Sequence, residues 1–335
     1  MVVRRPPSMR DVAREAGVSV KTVSNVVNGA AHVRPATRDR VQVQIEALRY
    51  RPQVVGRQLR RGRTGTVALA VPGIEQPYFA DLAGRLVEAA RRRGLTVLIE
   101  QTDGDLARER DVADGYPSRY ADGLVFSPLT MPEAELERRG HGTPVVLLGE
   151  HGGGADVDRV GTDSVAIGAE ATAHLVATGR RRIAMIGMKA RSRTVMLQRV
   201  TGYRQALTDA GLPHDPRLER QVDEWNHEEG ERAAALLMAE HRDVDGIFAA
   251  NDALALGALT ALHRSGVGVP DDVAVVGVDD ISEARYSVPP LTSVAIDRAA
   301  IAEHAVELLT SRLEDHTLPP RTMLAPHRLV RRDST

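Results

Sequence analysis

Apolar side chains between residues 8 and 50 recur three and four positions apart, whereas from Thr66 onward short apolar runs alternate with longer amphipathic stretches. Ser8, with Asp11 three residues later, marks a helix start, and Val12 and Ala16 share one face, which predicts a helix from Met9 to Ala16. Gly17 permits a tight turn. Ser19 can cap a second helix, Val20 to Asn28, with Val23, Val26 and Val27 on its apolar side and Asn28-Gly29 at its end. A third helix, with Pro35 in its first turn and Val41, Ile45 and Leu48 on one face, closes a small core. Two short helices joined by a glycine-containing turn make a helix-turn-helix, whose second helix lies in the DNA major groove with its N-terminal residues on base edges. Those residues are Val20, Lys21 and Thr22, with Asn25 one turn on.

The later rhythm is that of a parallel sheet with helices on both faces. Candidate strands are Val67 to Val71, Thr96 to Ile99, Gly123 to Phe126, Val145 to Leu148, Ile183 to Ile186, Gly246 to Ala249 and Val273 to Val276. Candidate helices are Tyr78 to Arg93, Val165 to Thr178, Thr194 to Ala210, Gly230 to Glu240, Ala253 to Arg264 and Arg298 to Arg312. About 265 residues of this pattern is large for one open sheet, so two similar α/β lobes flanking a cleft are expected. Ligands bind such sheets at the carboxyl ends of the strands.

Charge sharpens the division. Residues 1 to 65 carry fourteen Arg or Lys against Asp11, Glu15, Asp39 and Glu46, a balance of +10, while the whole chain stands at −1 and the remainder therefore at −11. A basic head on an acidic body suggests that one end meets phosphates and the other repels them. No apolar run reaches the roughly 18 residues of a membrane span, and the Arg- and Pro-containing start does not read as a secretion signal, so a cytoplasmic protein is expected. The absence of cysteine excludes disulfides, thiolate-bound metals and thiol nucleophiles.

The run Met9 to Gly29, Met-Arg-Asp-Val-Ala-Arg-Glu-Ala-Gly-Val-Ser-Val-Lys-Thr-Val-Ser-Asn-Val-Val-Asn-Gly, resembles the DNA-binding head of the lactose repressor (LacI/GalR) family. The resemblance continues through the body, in His174 to Gly187, Ala250 to Gly257, Val275 to Asp280 and Pro289 to Thr292, and extends to the periplasmic sugar-binding-protein fold. It implies a small all-α helix-turn-helix domain at residues 1–51, a hinge at 52–63, and a two-lobed α/β periplasmic-binding-protein-like core at 64–335. It also implies that the hinge orders on DNA and wedges a leucine into the minor groove, where Leu59 occupies that position and Arg57 meets phosphate. Gln53 and Gly56 stand where Asn and Ala are usual. A mid-helix glycine costs about 1 kcal/mol relative to alanine, so a weak hinge helix that forms only on DNA is expected.

Carried over from the family, Tyr78 and Phe79 fall at cleft-facing positions of the first lobe, Arg199 where an arginine clamps the effector, Trp225 where an aromatic stacks on it, and Asn251 and Asp279 where polar groups bond its hydroxyls. Trp225 also reads as a core residue, and Asn251 and Asp279, each following an apolar strand, also read as helix caps. Gly149, with Glu150 beside it, stands where an acidic residue is often found, and Ile296 and Arg298 replace a polar and an aromatic residue of some sugar-responsive members. A sugar or sugar derivative is favoured as effector over a purine-like ligand.

Catalysis finds little support. Neither lysine follows glycine, so there is no P-loop; Glu231 stands where a His227-Glu228 zinc motif needs its second histidine; and Gly152-Gly153-Gly154 opens no dinucleotide fingerprint. A free-standing sugar-binding protein would fit the body but not the head. The expectation is a homodimeric, non-enzymatic repressor of a near-palindromic double-stranded operator, without cofactor or metal, and without a tetramerising coiled coil after Arg331 to Thr335.

Overall fold

The computed structural model describes residues 7–27, 30, 32–50, 63–115, 120–132, 135–136, 143–149, 157–188 and 194–335. The chain divides into two compact units between Thr64 and Gly65.

The first unit contains α1 (Met9–Ala16), α2 (Val20–Val27) and α3 (Pro35–Ala47). Ser8 and Asp11 form the reciprocal cap: the Ser8 amide donates to the Asp11 carboxylate at 2.8 Å and the Asp11 amide to the Ser8 hydroxyl at 3.4 Å. Gly17 then turns the chain in the left-handed region, at φ 62°. Val12, Ala16, Val23, Val26 and Val41 are buried together, with Ile45 and Leu48 half-buried against them. Tyr50, beyond the last helix, completes this core. Arg49 adopts φ 51° and the Tyr50 amide returns to the Ile45 carbonyl at 2.9 Å, which folds the ring back inward. The predicted helix end at Asn28-Gly29 and the hinge residues Gln53, Gly56, Arg57 and Leu59 lie outside the described residues.

The second unit is two sheets. The first lobe uses β1 (Thr66–Val71), β2 (Thr96–Gln101), β3 (Gly123–Phe126), β4 (Val145–Leu148) and β5 (Asp158–Gly161), with helices α4 (Pro77–Arg92) and α5 (Leu106–Ala113). The second lobe uses α6 (Ser164–Ala177), β6 (Ile183–Met188), α7 (Thr194–Asp209), β7 (Glu219–Gln221), α8 (His227–Glu240), β8 (Gly246–Ala249), α9 (Asp252–Arg264), β9 (Ala274–Val278) and β10 (Thr292–Ile296). The chain then returns through α10 (Arg298–Glu314), which packs on α4, β3, β4 and β5, and through β11 (Thr322–Leu324), before β12 (His327–Val330) crosses back. Strand orders are β11-β5-β4-β3-β1-β2 and β12-β10-β9-β8-β6-β7. Every pair is parallel except β12 on β10, where Ile296 faces His327.

Three segments therefore join the lobes: Gly161 to Ser164, Ile296 to Arg298 and Leu324 to His327. The expected two-lobed core is present, and each strand predicted from the pattern is found, three with the same ends and the others with one or both ends shifted by a residue or two. Among the described residues, no helix is long and apolar enough to cross a membrane and no group of three or more His, Asp or Glu could hold a metal ion.

Candidate DNA-reading helix and ligand cleft

In the first unit, the Ser19 hydroxyl accepts the Thr22 amide at 3.0 Å and lies 2.9 Å from the Thr22 hydroxyl, the predicted start of α2. With Val23 and Val26 committed to the core, Val20 and Lys21 are exposed and Thr22 and Asn25 half-exposed. The Asn25 amide nitrogen lies 3.2 Å from His32 Nε2, which steadies it on the open face. Lys21 and Asn25 thus present a cation and an amide, the groups that bond guanine and adenine edges in a major groove. Arg57 and Leu59 lie outside the described residues.

In the second unit, the second-lobe candidates collect at the carboxyl ends of their sheet. Arg199, on α7, is only 4 % exposed. Its guanidinium donates to the Ala250 carbonyl just beyond β8, its carbon lies 5.5 Å from the centre of the Trp225 ring, and its Nε has no partner among the described residues. Gly168 permits this placement: α6 and α7 pack so closely that a Cβ there would stand 2.2 Å from the Arg199 carbonyl oxygen. Trp225 is half-buried at the core margin and donates its ring N–H to the carbonyl of Gly187, near the end of β6, at 3.0 Å.

Asn251 is a helix cap, its side-chain oxygen accepting the Leu254 amide at 3.0 Å, while its amide nitrogen reaches the Trp225 carbonyl at 3.5 Å. Asp279 is not a cap. It sits at φ 107° just beyond β9, followed by Asp280 at φ 50°, and its amide donates to the Val294 carbonyl at 2.9 Å.

From the first lobe, Tyr78 and Phe79 stand in the first turn of α4, half-buried and edge to face at 5.1 Å. Arg298 joins the two sets. It is the first residue of α10, its side chain 11 % exposed, and it donates through Nε to the Asp81 carboxylate, through Nη1 to the Asp279 carbonyl and through Nη2 to the Asp280 carbonyl at 3.3 Å, with its carbon 5.8 Å from the Tyr78 ring centre. Burial works against the charge on Asp81, but hydrogen bonds from Arg85 and Arg298 outweigh it and hold the carboxyl below its ordinary range.

Two positions set aside as departures from the family pattern thus behave differently. Ile296 is buried in the core as part of β10, whereas Arg298 stands where the lobes meet. Gly149 follows β4 in the left-handed region at φ 98°, and Glu150 lies outside the described residues. The sequence reading missed Asp252, a fully buried carboxyl at the head of α9 that accepts from the Ser293 hydroxyl at 2.6 Å and the Ile281 amide at 2.9 Å. It also missed the tie between Asp280 and Arg332 of the chain end. Asp252 and the Asp279-Asp280 pair follow apolar strands, the one signal that placed them together.

Residues 8–53 match the family described as bacterial regulatory proteins, lacI family, and residues 172–335 the periplasmic binding protein-like domain. The chain is 34% identical to the HTH-type transcriptional regulator CelR of Thermobifida fusca over 98% of both chains. Among solved structures it is similar to a transcriptional regulator CelR–cellobiose complex, at 32% identity and TM-score 0.74, over 98% of this chain and 100% of that one. It is likewise similar to the lac repressor dimer bound to operator and the anti-inducer ONPF, at 25% identity and TM-score 0.87, over 98% and 99% of the two chains. With the head, the two-lobed core and these relatives in agreement along nearly its whole length, the chain belongs to the lacI family of bacterial regulatory proteins, regulators that bind DNA through a helix-turn-helix.

Proposed function

We propose that the protein is a homodimeric repressor whose affinity for a near-palindromic operator is changed by a sugar or sugar derivative bound between the lobes. The observation that carries this is the convergence of Arg199, Trp225, Asn251 and Asp279 at the strand ends of one lobe, joined through Arg298 to Tyr78 of the other. A sugar needs polar partners at its ring edges and an aromatic surface for its apolar face, and this set supplies both. The relative solved with cellobiose favours this class of ligand.

In this reading residues 1–51 recognise DNA, with Val20, Lys21, Thr22 and Asn25 on bases, residues 52–63 form the hinge, with Arg57 on phosphate and Leu59 in the minor groove, and residues 64–335 bind effector and pair the subunits. A helix-turn-helix of this size reads half a site, so two copies are required for a palindrome. In this reading the protein acts in the cytoplasm as a regulator and not as an enzyme, in keeping with the transcriptional regulators it is similar to.

The test is the operator affinity of purified protein, on DNA from beside its own gene, with and without cellobiose, other sugars and nucleobases. A shift with a sugar is expected. A shift with nucleobases alone would overturn the sugar assignment, and no specific binding to any such DNA would overturn the regulatory one.

A further inference from the structure

The segment from Ile296 to Arg298 is one of three joining the lobes, and Arg298 is where it enters α10, a helix packed on the first lobe. On that lobe the guanidinium is held by the Asp81 carboxylate and lies against the Tyr78 ring. Two further donors go to the second lobe, to the carbonyls of Asp279 and Asp280. Those two carbonyls belong to a turn fixed from several sides: the Asp279 amide on Val294, the Asp280 amide on the Ser293 hydroxyl at 3.0 Å, the Ile281 amide on Asp252, and the Asp280 carboxylate on Arg332. Arg298 therefore connects a side chain anchored on one lobe to a rigid backbone turn on the other, and at 11 % exposure little of that connection is screened by water.

We infer that Arg298 is the positioning residue of the cleft, a strap that holds the two lobes together before any effector arrives and sets the orientation of Tyr78 and Asp279 toward it. The inference rests on the proposed effector reading and adds to it a regulatory rule. Strap and effector both favour the closed arrangement, so loosening the strap moves the effector-free operator affinity opposite to the direction in which effector moves it in the unaltered protein. By linkage the same change weakens effector binding.

The test uses the full-length protein and the variants Asp81→Asn, Arg298→Lys and Arg298→Met. Asp81 is partly exposed, so its substitution leaves folding intact even if removal of Arg298 does not. Trp225 is the single tryptophan, on the second-lobe wall, and its quenching by acrylamide without sugar reports cleft opening. A lost charge-assisted bond shifts the open-to-closed ratio about ten-fold, so Asp81→Asn and Arg298→Met raise the quenching constant roughly two-fold, with Arg298→Lys between them and the unaltered protein. Cellobiose titrations then show weaker binding in the order Lys, Met. Unchanged quenching in both Asp81→Asn and Arg298→Met would overturn the strap. That arm needs neither sugar nor DNA, so it stands apart from the outcome of the operator assay, where absence of a cellobiose effect in the unaltered protein would count against the effector reading alone.

Discussion

Asp252 gives the most direct handle on the polar network behind the cleft. Its side chain is fully buried at the head of α9 and accepts from the Ser293 hydroxyl and the Ile281 amide. Burial, reinforced by the charges of Asp279 and Asp280, pushes its carboxyl well above the usual carboxylate range, and the two hydrogen bonds do not reverse this. A folded-state pKa raised above the unfolded value means that the folded chain holds the proton more tightly. The stability this group contributes is full below about pH 4, the unfolded value, and is lost as pH rises toward the raised folded value. Asp252→Asn removes the titration while keeping an acceptor for the Ile281 amide and turning its own amide toward Ser293. Its stability relative to the unaltered protein should therefore climb with pH, by at most about 1.4 kcal/mol per pH unit, and level off once the carboxyl is ionised. Asp252→Ala strands the buried Ile281 N–H and removes the acceptor from Ser293, costing about 2–5 kcal/mol at pH 5. Urea unfolding of each variant between pH 4.5 and pH 8, followed by Trp225 fluorescence at fixed protein concentration, separates these outcomes. A difference between Asn and Asp that is flat with pH, or that shrinks as pH rises, would refute the reasoning.

Three further outcomes are expected. Replacing Lys21 or Asn25 should change which bases are preferred, at about 1–3 kcal/mol per contact, whereas replacing Arg57 should weaken all sequences alike and flatten the salt dependence in a binding titration. Gly168→Ala forces a Cβ to within 2.2 Å of the Arg199 carbonyl oxygen, so α6 and α7 must part; about 1–3 kcal/mol of core stability and a measurable part of the affinity for the proposed effector should go together. If residues 52–63 form a helix on DNA as proposed, Gly56→Ala tightens operator binding by up to about 1 kcal/mol, read by fluorescence anisotropy on labelled operator.

Much of the fold was legible because its elements obey single periodicities. The reciprocal cap at Ser8, the Val12–Ala16 face and the apolar runs of β1, β3, β4, β6 and β8 could be placed by spacing alone. What escaped notice lacked that signal. β5 begins with Asp158 and Arg159, which break any apolar run, yet both are buried, Asp158 being bonded by Arg312 at 3.0 Å and by the Arg321 amide at 2.8 Å. Strands β10, β11 and β12 lie beside the crossings, where the chain changes sheets, and no helix separates β11 from β12. Tyr50 escaped for a different reason, because a left-handed residue after a helix redirects the chain without altering any pattern.

The choice between cap and ligand contact at Asn251 and Asp279, open in the sequence, turns on atoms rather than on residues. The Asn251 oxygen is occupied by the Leu254 amide, but an amide group also carries two N–H donors, and the one contact these make, to the Trp225 carbonyl, lies at the 3.5 Å limit of a hydrogen bond. Capping and ligand recognition are therefore compatible in one side chain. Asp279 lies on a left-handed turn that caps no helix, and its carboxylate can only accept. Arg199 is held in place by Ala250 and Trp225, and its Nε has no hydrogen-bond partner among the described residues. In the proposed reading, a ligand that meets Arg199, Asn251 and Asp279 accepts at two edges and donates at a third, and a ring bearing hydroxyls does so without needing a particular tautomer or charge. That requirement, more than the presence of an aromatic wall, is what favours a sugar in this cleft.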